Sequence, residues 1–113
     1  MHGLTVRWSL VGAPDGLEAS LASYVADTSH ARFTGMDGLR FKTWRLVPGQ
    51  WFEGCYVFES PGAREAFQTE FTATADESPG SRIVGSGPVL IEPCEIVAVA
   101  EGAAGFLAAP TYG

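Results

Sequence analysis

Leu4, Val6, Trp8 and Leu10 fall on one side of an alternating run, and Thr5, Arg7 and Ser9 fall on the other. A period of two predicts a strand over Leu4–Val11, closed by Gly12-Ala13-Pro14. The period then lengthens. Leu17, Leu21, Tyr24, Val25 and Thr28 form one helical stripe. Asp15, with Glu18 three residues on, reads as a capping box at its start. The stripe fades between Thr28 and Phe33, and Gly35 and Gly38 bound the loop that follows.

Leu39 to Val47 returns to strand periodicity. Leu39, Phe41 and Thr43 face one way, and Arg40, Lys42 and Trp44 face the other. Pro48-Gly49 has the residues that a type II turn prefers at its centre, and Trp51 to Glu59 reads as the partner strand of a hairpin. Ser60-Pro61 is a cap followed by proline at the first helical position. Ala63, Ala66, Phe67, Glu70, Phe71 and Thr74 form the second helical stripe, which Pro79-Gly80 is expected to stop. Gly85, Gly87, Pro88 and Pro93 interrupt the next segment, though Val89-Leu90-Ile91 is apolar enough to be half-buried. A fourth strand is expected over Cys94 to Ala100. A Gly/Ala-rich tail over 102–113 has Phe106 and Tyr112 as its only large anchors.

The order β-α-β-β-α-β is the ferredoxin-like plan: an α+β fold with a four-stranded antiparallel sheet, order 4-1-3-2, and both helices on one face. Strand 1 then separates Cys55 from Cys94, which argues against a disulfide between them. The other face of the sheet is not cleanly polar, since Cys55 and Val57 oppose Tyr56 and Phe58 along one strand. Such a face asks for a cover, and a second copy of the chain is the simplest one, giving a homodimer through the sheet.

With 113 residues, one domain with its core over about 4–101 is expected. Thirteen acids against seven bases give a net charge of -6, which argues against nucleic acid as a partner. No apolar run is long enough for a membrane span and the first residues do not form a signal peptide, so a cytoplasmic protein is expected. Two isolated His and two Cys without CxxC spacing offer no metal site, and no nucleotide-binding motif is present, so no cofactor is expected.

Gly38-Leu39-Arg40-Phe41-Lys42-Thr43-Trp44 resembles the strand after helix 1 in the YdhR-like mono-oxygenases. Gly54-Cys55-Tyr56-Val57-Phe58, with Ala66-Phe67 after it, resembles their next strand and helix. The resemblance implies a dimeric α/β barrel with a pocket between sheet and helices. For activity it implies a cofactor-independent mono-oxygenase, an oxidoreductase acting on a small aromatic or quinol-like substrate. The segment Ser81–Pro93 is longer than the family's usual link into the last strand.

Trp8, Phe41, Trp44, Phe58, Phe67 and Phe71 are spaced first of all as a packed core. Read functionally, they line a site for a small hydrophobic or aromatic ligand. His30, the one His inside the fold, and Tyr56 are the candidates for removing a substrate proton. Arg40, Lys42 and Arg45 crowd strand 2, where a cross-strand ion pair with Glu53 is the expected use. The alternative to an enzyme is a non-catalytic ligand-binding dimer on the same fold.

Overall fold

The computed structural model describes residues 1–112; Gly113, the last of the expected tail, lies outside the described residues. Four strands, β1 (His2–Ser9), β2 (Leu39–Val47), β3 (Trp51–Phe58) and β4 (Leu90–Glu95), form one antiparallel sheet in the order β2-β3-β1-β4. This is the ferredoxin-like arrangement expected from the sequence. β1 lies between β3 and β4, and Cys55 and Cys94 are both free.

Leu4, Val6 and Trp8 of β1 and Phe52, Tyr56 and Phe58 of β3 all point to the helix side. There they form the buried core with Leu21 and Phe33. Val47 and Gln50 close the β2–β3 hairpin through a backbone hydrogen bond of 3.0 Å, with Gly49 at φ 72°. A positive φ at this third turn position is what a type II turn demands and glycine supplies.

The first helical segment starts at Leu17, not on an Asp15 cap. Gly16, at φ 85°, precedes it, and no side chain caps it. The segment does not fade either: α1 (Leu17–Tyr24) runs through a π-helical turn (Val25–Ser29) into α2 (His30–Phe33). The π turn holds one more residue than an α-turn, so the apolar stripe moves on by one position. Thr28, expected on the stripe, is exposed; Ser29 and Phe33 are buried in its place.

α3 (Pro61–Ala73) starts as expected. Ser60 Oγ accepts the Ala63 N–H at 3.1 Å, and Pro61 occupies the first turn. After a 3₁₀ turn (Ala75–Glu77), Pro79-Gly80 begins a further helix, α4 (Pro79–Val84), instead of ending structure. Ser78 caps it by accepting from Ser81 N. A buried chain of hydrogen bonds ties this corner to the sheet: Trp8 Nε1 donates to Ser81 Oγ at 2.9 Å, and Ser81 Oγ donates to the Ala75 carbonyl at 2.6 Å. Gly80 lets α4 sit on the Trp8 ring, because a Cβ there would stand 3.0 Å from Trp8 Cζ2.

The last strand runs over Leu90–Glu95, earlier than the expected Cys94–Ala100. The apolar pair Leu90-Ile91 is paired with Arg7 and Val6 despite the prolines around it. Pro93 is tolerated because β4 is an edge strand, where a missing N–H need not break a ladder.

On the sheet face away from the helices, Glu53 is flanked across the strands by Arg7 and Arg45. It pairs with both, and its side chain is fully covered. Trp51 packs under the Arg7 guanidinium at 4.5 Å. The expected Arg45–Glu53 bridge is therefore present, with Arg7 as a second partner. Part of this face is covered by the chain's own C-terminal segment. Ile96 lies against Gly3, and Phe106 packs on Phe41 with ring centroids 5.8 Å apart.

Candidate functional site

A cleft of about 370 Å³ opens between the inner face of the sheet and the helices. Strand alternation puts Trp8, Trp44, Phe52 and Tyr56 on its floor, and the π turn and α2 bring Ser29, Arg32 and Phe33 to one wall. Phe67 and Phe71 of α3 close the other side. No residue of α3 is fully buried. An amphipathic helix that seals a core buries its stripe, and α3 instead stands over a gap.

Gly54 sits in the middle of the floor. A Cβ at this position would stand 3.1 Å from Lys42 Cε and 3.2 Å from Tyr56 Cε2. The missing side chain leaves the Lys42 stem room to lie across the floor. Its Nζ comes within 3.6 Å of the Phe33 ring centroid, 4.3 Å of Tyr56 and 4.5 Å of Trp44. Glu70 and Glu77 also line the cleft, yet among the described residues Lys42 makes no ion pair and no side-chain hydrogen bond.

Two effects on the Lys42 charge compete. Ring faces attract an ammonium by up to about 2 kcal/mol when desolvated. Taking an ion out of water costs several kcal/mol, so desolvation wins. Burial, with repulsion from Arg32 added, sets the Lys42 amine well below the usual lysine range. Tyr56 moves the opposite way, because burial pushes its phenol far above its usual range. At neutral pH Tyr56 stays protonated and is a hydrogen-bond donor, so it does not serve as a base.

The other expected site residues divide clearly. Trp8, Trp44, Phe67 and Phe71 line the cleft with Tyr56. Phe58 does not: it is 1% exposed and packs in the core beneath Tyr56 and Phe67. Phe41 lies on the far face of the sheet against Phe106. His30 faces a second recess of about 590 Å³, bordered by Trp44 and by the tail from Leu107 to Tyr112, with its ring 6.0 Å from the Trp44 ring. Sequence reasoning assigned Lys42 to surface ion pairing and overlooked it for the cleft. The signal was present, since Lys42 alternates onto the same face as Trp44, but the neighbouring Arg40 and Arg45 disguised it.

No family model matches the chain, and no curated protein does. Among solved structures, it is similar to the NE2512 protein of unknown function from Nitrosomonas europaea. The TM-score is 0.64 at 24% identity, over 90% of this chain and 94% of that one. The likeness is one of fold. No helix of the described residues is long and apolar enough to cross a membrane.

Proposed function

We propose that the cleft is the substrate site of a cofactor-independent mono-oxygenase acting on a small phenol- or quinol-like aromatic. The observation that carries this reading is an amine without a carboxylate partner on the floor of an aromatic-walled cleft. A flat aromatic fits between the rings of the floor and those of α3. Neutral Lys42 accepts the phenolic proton, and the ammonium so formed, with Arg32 nearby, holds the phenolate in a low-dielectric setting. Such an anion passes an electron to O₂ directly. When the reacting carbon is an activated methylene, one oxygen atom enters as the new carbonyl and the other leaves as water. The substrate then supplies all four electrons. The resemblance to YdhR-like mono-oxygenases supports the same reading, with Lys42 in place of His30 as the base.

Oxygen uptake with a panel of quinols and anthrone-like phenols tests this. Turnover is expected in wild type and falls about 10²–10⁴-fold in Lys42→Met, the range of general-base catalysis. Absence of uptake across the panel would overturn it. In the same proposal the protein is a cytoplasmic homodimer joined through the far face of the sheet, burying about 1,600 Å² in all. Sedimentation at micromolar concentration checks this, and a monomer would refute it. A second reading, a ligand-binding protein without turnover, is favoured by one observation. No second titratable side chain hydrogen-bonds Lys42 to carry its proton away.

A further inference from the structure

Lys42 is the only lysine in the sequence. Its place is unlike that of an ordinary surface lysine. Three aromatic rings surround Nζ at 3.6–4.5 Å, the nearest charged neighbour in the cleft wall is the cation Arg32, and no acid pairs with it. An ammonium gains little here beyond ring contacts, whereas a neutral amine needs neither counter-ion nor hydration. A neutral amine also has a free lone pair, and the cleft in front of it is open enough to admit a ring-sized partner.

We propose that the cleft takes a small aromatic aldehyde or ketone, and that Lys42 Nζ captures it covalently as an imine. The lone pair of Nζ forms a C–N bond to the carbonyl carbon. The two amine hydrogens pass to the carbonyl oxygen, which leaves as water, and the C=N bond replaces C=O with no net oxidation or reduction. Desolvation in an apolar pocket beside another cation is a recognised way of activating a lysine for this step. The Tyr56 phenol stays protonated and stands beside the amine, 4.3 Å from Nζ to ring centroid. The inference rests on the reading of this cleft as a site for small aromatic ligands, but not on any reaction with oxygen.

The experiment uses 2-naphthaldehyde with borohydride, followed by intact-mass measurement and peptide mapping. In parallel, 2-naphthol, which has no carbonyl, is titrated by quenching of tryptophan fluorescence. The expected result is one reduced adduct per chain, mapped to Lys42 in wild type. It is lost in Lys42→Arg, which keeps the charge and approximate length, with an unchanged circular dichroism spectrum. Labelling at the N-terminal amine only, or no adduct, would overturn the imine. If 2-naphthol still binds in that case, the imine fails while the cleft remains an aromatic site. If neither probe engages, both readings fall.

Discussion

Replacing Lys42 by Met should make the protein more stable at neutral pH and change how its stability depends on pH. Met keeps the unbranched stem that lies across Gly54 and sets a polarizable sulfur among the Phe33, Tyr56 and Trp44 rings, a contact worth about 0.3–1.5 kcal/mol. It removes a cation whose desolvation outweighs the ring attraction of at most about 2 kcal/mol. The pH argument is more exact. The folded-state pKa of Lys42 is lowered, while the unfolded chain holds its proton up to about pH 10.4. Between those two values the unfolded state binds one more proton than the folded state. Stability therefore rises with pH there, by up to about 1.4 kcal/mol per unit. Lys42→Met has no such proton. Urea unfolding of both proteins from pH 7 to pH 10 should give a stability difference that favours the variant at the lower end and shrinks as pH rises. Parallel curves would show that Lys42 keeps its proton in the folded protein, and would refute the argument from burial.

Two further tests address the frame around the cleft. Burial alone would raise the Glu53 carboxyl, but hydrogen bonds from Arg45 and Arg7 hold it below its usual range. Its stabilisation is thus present above an unfolded pKa of about 4.3 and is lost as pH falls through the lower folded value. Glu53→Gln should cost about 1–3 kcal/mol at pH 7, the range for hydrogen bonds to charged groups, and the gap from wild type should narrow near pH 3 in urea unfolding; a constant gap would contradict the assignment. Trp8→Phe removes the donor to Ser81 while keeping most of the ring, so a loss of about 1–3 kcal/mol is expected. Limited proteolysis should then cut first around Pro79–Val84.

Most of the fold was legible because its signals are local. Alternation in β1, the Pro48-Gly49 turn and the Ser60-Pro61 cap each specify an element from a few residues. The misreadings have particular causes. Ser78-Pro79 carries the same start signal as Ser60-Pro61, yet the glycine after Pro79 was taken as a stop; the Trp8–Ser81 bond that secures α4 spans distant parts of the chain and leaves no local trace. Thr28 was placed on the stripe because a 3.6-residue period was carried through a turn that is π-helical. A bulge between Leu39 and Phe41 put Leu39 on the core side with Lys42 and Trp44, leaving Phe41 on the far face. The candidate site was legible only in its aromatic walls. Its one unpaired amine looked like part of a basic surface strand, and its openness depends on Gly54, a residue with no side chain to notice.

The π turn over Val25–Ser29 also amounts to a single-residue insertion in an otherwise α-helical rod. Excising one residue there, Ala26 for instance, would let the backbone relax to ordinary α-helix without breaking the chain's path. Everything after it would turn by about 100° around the helix axis and draw back by about 1.5 Å. Arg32 and Phe33 would swing away from the Lys42 amine, and Thr34 would come round toward the core. This one deletion would leave every cleft side chain chemically intact while taking apart the arrangement that surrounds the amine. It would separate the effect of residue identity from that of helical phase, which no point substitution at Lys42, Arg32 or Phe33 can do.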